Sequence, residues 1–241
     1  NNGIKAATGD YVTFVDSDDW LEPTMYENMC TITQLEQPSD IVMCDFTLIK
    51  KKSKEEISPN IRKGFYSKQQ IMDELYPTLL VTEEFGRIPI VSVWSCLFKR
   101  SLLIDNEVKF DADLLYSEDY EESRSKKFQS VWWENLLHLN KELKKLLEAN
   151  KEYDFTRQLK LQLLHSVLFI LNSICNNDSM NVIKKLQEIR LILKQKQLNN
   201  AFSNLKLKKQ RKTLKLFLYL IKYKMAFSYL FFQRTISIIK N

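Results

Sequence analysis

Residues Tyr11 to Asp19 read YVTFVDSDD, an apolar run that stops abruptly at three carboxylates. Alternation and β-branching across Tyr11-Val12-Thr13-Phe14-Val15 predict a strand in a sheet core. Asp16, Ser17, Asp18 and Asp19 follow that strand directly, at the carboxyl end where open α/β sheets place their ligands. Clustered carboxylates repel one another, and a hard divalent cation relieves the repulsion while offering a second face to a phosphate. A plain turn with a helix N-cap uses the same residue types for local hydrogen bonds. One aspartate satisfies a cap, whereas this run holds three. Spacing alone leaves both readings open.

The flanking residues extend the pattern. Asn1-Asn2-Gly3-Ile4-Lys5-Ala6-Ala7-Thr8-Gly9-Asp10-Tyr11, followed by Phe14-Val15-Asp16-Ser17-Asp18-Asp19, resembles the inverting, nucleotide-sugar-dependent glycosyltransferases of family two. A second block, Phe110-Asp111-Ala112-Asp113-Leu114-Leu115-Tyr116-Ser117-Glu118-Asp119, resembles the later family segment whose Glu-Asp pair carries the catalytic base. The two blocks stand in the family's order, about a hundred residues apart, which is far more specific than either alone.

The resemblance implies an α/β fold: a partial GT-A (Rossmann-like) nucleotide-sugar domain over residues 1–122, followed by a C-terminal all-α region. It implies a hexosyltransferase-type enzyme that moves a sugar, with inversion, from a nucleotide-diphosphate donor (a UDP-sugar) to a glycan or lipid-linked glycan. The setting it implies is bacterial capsular or extracellular polysaccharide synthesis. Donor contacts fall on Asn1, Gly3, Asp16, Asp18 and Asp19, and Mn²⁺ or Mg²⁺ on Asp18 with Asp16 beside it. Asp119 is the expected general base, with Glu118 as its neighbour or alternate. Taken alone, Glu118-Asp119 also reads as an exposed acidic helix start, since Glu121 and Glu122 follow.

Three departures from the family pattern stand out. Trp94-Ser95-Cys96-Leu97-Phe98 carries Cys96 where relatives have a lysine, although Lys99 and Arg100 are close in sequence. The family's opening strand, with the aspartates that recognise the base, would precede Asn1. After Glu121-Glu122 the chain passes at once to Ser123-Arg124-Ser125-Lys126-Lys127-Phe128, which resembles the start of the family's final helices. The expectation is an N-terminally truncated chain with an internal deletion. Without the resemblance, Trp94, Leu97 and Phe98 read as core residues.

Four glycines and five prolines in 241 residues favour long helices over a loop-rich β design. Residues 1–8 read as the end of a helix closed by Gly9. Pro23 opens a second helix with Met25, Met29 and Ile32 on one face. Asp40 to Ile49 reads as a second buried strand, Lys50 to Glu56 as a solvated loop, and Gly64-Phe65-Tyr66 as a possible edge strand. Ser67 caps a helix through Tyr76. From Lys126 the pattern is helical: a bundle over residues 123–204, broken at Asn176-Asn177 and Asn199-Asn200, then a basic amphipathic tail over residues 205–241.

Thirteen Lys or Arg residues and no Asp or Glu follow Glu188, so the overall +6 leaves residues 1–188 at about −7. Such asymmetry predicts a basic tail that seeks an anionic surface. Leu214, Phe217, Leu218, Ile221 and Met225 share one helical face and Lys208, Lys212, Lys215 and Lys222 a neighbouring one. Lys222 and Lys224 interrupt the apolar stretch, which excludes a spanning helix there and favours an interfacial one against anionic lipid. The expected location is therefore cytoplasmic, peripheral on the inner face of the plasma membrane. No nucleic-acid motif is present, and nucleic acid is not an expected partner. Cys30, Cys44, Cys96 and Cys175 lack metal-site spacing and read as reduced core thiols, and His138 and His165 as structural or surface residues. Two other classes share these features: an inactive remnant that only binds membrane or partner through its helices, and a metal-dependent phosphohydrolase using the acidic run.

Overall fold

The computed structural model describes residues 1–17, 19–35, 39–50, 53–58, 61–85, 93–112, 131–206 and 210–240. The chain divides into two units, residues 1–60 with 89–112, and residues 61–88 with 113–241.

In the first unit, helix α1 (Asn2–Ala6) leads into strand β1 (Tyr11–Val12). Ala7, in extended conformation, ends α1. Gly9 is not a left-handed cap; it instead permits close packing, since a Cβ there would lie 3.3 Å from Tyr11 O. β1 stops short of the predicted Val15 because Thr13 leaves the ladder, its Oγ1 donating to Cys96 O at 2.9 Å. Helix α2 (Met25–Thr33) has Thr24 at its N-cap, which leaves Pro23 just before the helix rather than in its first turn; it buries Met29, but Ile32 is 44% exposed. The predicted strand Asp40–Ile49 is two strands, β2 (Ile41–Met43) and β3 (Phe46–Lys50), in different sheets. Cys44 interrupts them, its N–H bonding to Ser95 O at 3.0 Å.

β3 pairs with β4 (Ser53–Ile57), from Phe46 opposite Ile57 to Lys50 opposite Ser53. The charge run predicted as a loop is thus largely a return strand. A ribbon with both faces wet needs no apolar alternation, so its sequence carries no strand signal.

Strand β5 (Cys96–Lys99) is central, antiparallel to β1 on one side and β2 on the other. β1 and β2 therefore run the same way and end at the same edge. Helix α3 (Arg100–Asp105) follows. Side chains alternate along β5, so its two faces pack differently. Val12 joins Ile4 and Leu103 on one face, with Phe98 packed alongside; Leu97 and Val42 join Met29 on the other. Helices on both faces of a small sheet are consistent with the expected partial Rossmann-like layering.

The second unit begins with residues 61–88, which the sequence assigns to the N-terminal domain. Arg62 lies over the Tyr66 ring, 4.6 Å from its centroid, and residues 64–66 form no strand. Ser67 and Gln70 form a reciprocal capping box at Lys68–Gln70, continued by a π turn at Ile71–Leu75 and a 3-10 turn at Tyr76–Thr78. Helices α4 (Val131–Glu148), α5 (Thr156–Cys175), α6 (Val182–Leu193), α7 (Lys196–Phe202), α8 (Lys212–Lys222) and α9 (Ala226–Lys240) complete it. Asn181 caps α6, its Oδ1 accepting from Lys184 N at 2.9 Å. Asn199 and Asn200 lie inside α7; the break falls at Lys194-Gln195 instead.

α5 is the hub, packed against α4, α6, α7 and α9. It is long and apolar enough to cross a membrane, yet 67% of that stretch is buried inside the protein, as befits a core helix. Leu136, Leu164, Leu171, Ile189, Leu218, Ile221 and Tyr229 share its cluster. The face of α8 that the sequence offers to lipid is therefore core: Phe217, Leu218 and Ile221 are buried against the bundle, and Met225 lies off it, exposed. Lys208, expected beside that face, lies outside the described residues. No separate tail begins at residue 205, because α8 and α9 complete the core of the preceding helices. Among the cysteines, Cys96 and Cys175 are buried, while Cys30 is exposed on α2, against expectation. Burial pushes the Cys175 thiol up to about 12.

His165 sits on α5 edge-on to Phe85, with ring centroids 5.6 Å apart. Burial holds its imidazole below the ordinary value. Above roughly pH 6.5 both folded and unfolded chains are neutral there. As pH falls through that value the unfolded chain takes the proton first, so stability is lost on acidification. Melting temperature should therefore drop between neutral pH and pH of about 5, and His165→Gln should flatten that slope.

Candidate functional site

The acidic run begins after three residues that follow the end of β1 at Val12. Asp19 N donates to Asp16 O at 3.2 Å, closing a turn across Asp16–Asp19. Asp16 is partly buried, and Ser17 and Asp19 are exposed. Asp18 lies outside the described residues. Among the described residues no group of three or more His, Cys, Asp or Glu side chains converges as a metal site. Asp16 and Asp19 still offer the hard oxygen donors that Mg²⁺ and Mn²⁺ take, so the donor chemistry fits.

The segment leading into this turn packs in an aromatic cluster. Phe14, two residues before Asp16, meets Phe98 of β5 at 6.0 Å and Phe110 at 5.1 Å between ring centroids, both edge-on. Asn1 fixes the same segment: its Nδ2 donates to Phe110 O at 2.9 Å, and its Oδ1 accepts from Phe110 N at 2.8 Å. The side-chain amide thus copies a strand's two backbone bonds. A Schellman turn sends the chain back to make this contact. Glu107 holds φ at 50°, while Val108 N bonds to Leu103 O at 2.9 Å and Glu107 N to Ile104 O at 3.1 Å. The two motif blocks, distant in sequence, therefore meet at Phe14 and Phe110.

Several expected residues have other work here. Asn1, expected at the donor, spends both ends of its amide on Phe110, which makes it a positioning residue for the second block. Arg100 is a clamp: its Nε donates to Ala7 O at 2.7 Å and its backbone N–H to Asp10 O at 2.7 Å, tying α1 to the start of β1. Lys99 Nζ lies 3.5 Å from Asp40 Oδ1. Cys96 is 1% exposed, so the position where the resemblance implies a lysine belongs to the core here. Leu97 is buried as expected; Trp94 is partly exposed and packs edge-on to Phe46 at 4.8 Å. Glu118 and Asp119 lie outside the described residues.

Trp20 is the site residue that pattern reading passed over. It follows the acidic turn with 69% of its surface exposed, an aromatic face of the type that stacks on bases or sugar rings. A large aromatic immediately after DSDD, outside any apolar period, was the available signal.

Gly3 faces open space, with no atom within 4 Å of a built Cβ. Packing does not require glycine there, so Gly3→Ala should raise stability by about 0.5 kcal/mol through helix propensity. If a donor runs along α1, the same change should weaken nucleotide-sugar binding while the melting temperature rises. Thermal melts and titration calorimetry on one variant read both.

Residues 1–106 match the model of Glycosyl transferase family 2. The uncharacterized glycosyltransferase YibD of Escherichia coli (strain K12) is 33% identical over 122 residues, 47% of this chain and 32% of YibD. Glycosyltransferase GlyA of Streptococcus pneumoniae serotype 4 is 27% identical over 145 residues, 59% of this chain and 20% of GlyA. The uncharacterized glycosyltransferase EpsJ of Bacillus subtilis (strain 168) is 29% identical over 119 residues, 49% of this chain and 33% of EpsJ. The chain thus spans a third or less of the length of these relatives. No solved structure matches. What this chain shares with family-two glycosyltransferases is therefore its N-terminal segment, followed here by a helical region.

Proposed function

We propose that residues 1–122 belong to an inverting glycosyltransferase that moves a sugar from a nucleotide-diphosphate donor, a UDP-sugar, to a glycan or lipid-linked glycan. The setting proposed is capsular or extracellular polysaccharide synthesis. The observation that carries this reading is the meeting of the acidic turn's block with the Phe110 block through Phe14 and Asn1. A turn that served only as a cap would have no need of that second segment.

In this reading Asp16, Asp18 and Asp19 face the donor's diphosphate, and Asp18 with Asp16 would hold Mn²⁺ or Mg²⁺. When bound, the ion supplies positive charge against the diphosphate that leaves. Trp20 stacks on the donor's ring system, and Asn1 holds the segment that leads to Glu118 and Asp119. Asp119 takes the proton of the acceptor hydroxyl, which is a poor nucleophile until deprotonated, and Glu118 keeps a second carboxylate beside it. Inversion follows when that base lies opposite the leaving group.

The test uses the purified chain, a panel of UDP-sugars, Mn²⁺ and a mixture of glycan acceptors, with nucleotide release as the readout. Release that depends on acceptor supports transfer. Release of phosphate without any acceptor identifies a phosphohydrolase instead. A folded chain that neither binds UDP in calorimetry nor releases it refutes the proposal and leaves the inactive remnant.

A further inference from the structure

The hairpin formed by α8 and α9 displays side chains that the bundle does not use. α8 buries Phe217, Leu218, Leu220 and Ile221, and turns Lys212, Lys215, Tyr219 and Lys222 outward at helical spacing. Tyr219 and Tyr223 pack with ring centroids 4.4 Å apart, and Lys222 Nζ lies 5.6 Å from the Tyr223 centroid. Past the turn, Met225 is exposed and Phe227 is 67% exposed. Ammonium groups and apolar surface thus alternate along one helix face and its connecting turn.

The turn carries a fourth ammonium group. Met225 N bonds to Leu220 O at 2.9 Å and Lys224 N to Ile221 O at 3.0 Å, a Schellman motif whose left-handed position, at φ 59°, is Lys224. Lys224 is exposed there, so its ammonium joins those of Lys212, Lys215 and Lys222. The charge is also unopposed in sequence, since no Asp or Glu follows Glu188.

We propose that this hairpin docks the chain on an anionic lipid surface, such as a cytoplasmic leaflet. Tyr219, Tyr223, Met225 and Phe227 enter the headgroup layer, while Lys212, Lys215, Lys222 and Lys224 sit at the lipid phosphates. Aromatic rings favour that layer, and lysine stems can lie along apolar surface while the ammonium stays in water. This is not the mode the sequence suggests, because the regular apolar face of α8 is already buried in the protein. Single-stranded nucleic acid also takes aromatic and basic residues, but along a groove. Here they lie on an outward helix face rather than in a groove, with Met225 and Phe227 exposed beside them. The proposal does not depend on the transfer reaction.

The experiment is co-sedimentation of the full chain with vesicles of phosphatidylcholine alone and of phosphatidylcholine with phosphatidylglycerol. Binding is expected only with the anionic vesicles, and added salt should weaken it. With each lysine near such a surface worth roughly fivefold, Lys212→Glu together with Lys222→Glu should weaken binding at least about twentyfold. Phe227→Ser, at an exposed position, should weaken binding with the circular dichroism unchanged. Tyr223→Trp should add a tryptophan emission, relative to the unsubstituted chain, that shifts to the blue on anionic vesicles. Equal binding to both vesicle types, no binding by folded chain, or an added emission that does not shift in the Tyr223→Trp variant would overturn the proposal. Binding of a single-stranded oligonucleotide without vesicle binding would overturn it in favour of a nucleic-acid platform.

Discussion

Replacing Gln158 by leucine should lower the unfolding free energy by about 3 kcal/mol, a large loss for a side chain of the same length class. Gln158 is buried on α5, and its amide serves three backbone groups of the preceding segment at once. Oε1 accepts from Leu80 N at 3.1 Å and Val81 N at 3.2 Å, and Nε2 donates to Pro77 O. Leucine satisfies none of them. Each buried backbone group left without a partner costs roughly 1–3 kcal/mol, and the apolar gain of leucine recovers only part of the total. Gln158→Glu should destabilise as well at neutral pH, because an ionised carboxylate there loses the donor to Pro77 O and buries a charge. Urea unfolding followed by far-UV circular dichroism gives the measurement. A midpoint unchanged in Gln158→Leu would mean that water replaces the amide.

The same residue shows where reading along the chain stopped working. Helices were legible wherever one face repeated at helical spacing: Val182–Leu193 is helical over the span its pattern predicts, and Leu159 to Ile174 lies within α5. Ser67 announced its helix because a capping box is a local device. The place of residues 61–88 was not legible, because it is set by polar contacts that have no period. Gln158 holds Leu80 and Val81, Arg157 pairs with Glu83 at 2.7 Å, and Gln210 Nε2 donates to Glu83 O at 2.8 Å. The β3–β4 ribbon was hidden for a related reason, since cross-strand backbone bonds specify it and its side chains are mostly charged.

At the candidate site the residue types were legible and some of their tasks were not. The run Asp16 to Asp19 follows β1 in sequence, but in the structure β1 ends at Val12 and three residues separate it from the turn that Asp19 N closes on Asp16 O. Asn1 and Arg100, by contrast, look like ligand contacts in a sequence, because an amide or guanidinium binds a phosphate and a backbone carbonyl with the same atoms. Only the fold shows that their partners are Phe110 and Ala7. The apolar stripe on α8 posed the same ambiguity, because a face suited to lipid is also suited to a protein core.

Asp16→Asn combined with Asp18→Asn should cut acceptor-dependent nucleotide release about a hundredfold or more, while leaving the melting temperature nearly unchanged. Asparagine is chosen because it divides the two readings of the acidic run. It keeps the size and local hydrogen bonding that a turn or cap requires, and the bond that closes the turn runs from Asp19 N to Asp16 O, both backbone atoms. It removes the negative charge, which is what a divalent ion and a departing diphosphate respond to. A turn that merely shapes the backbone would tolerate both changes, with full activity and full stability. Asp10→Asn supplies the control, being the same chemical change at an exposed position just before β1, whose carbonyl rather than carboxylate is used by Arg100. Raising Mn²⁺ should partly restore the Asp16→Asn single variant, because weakened ion binding yields to mass action. Release that is indifferent both to the paired substitution and to Mn²⁺ would remove the acidic turn from the chemistry and leave Asp16 to Asp19 as a bend.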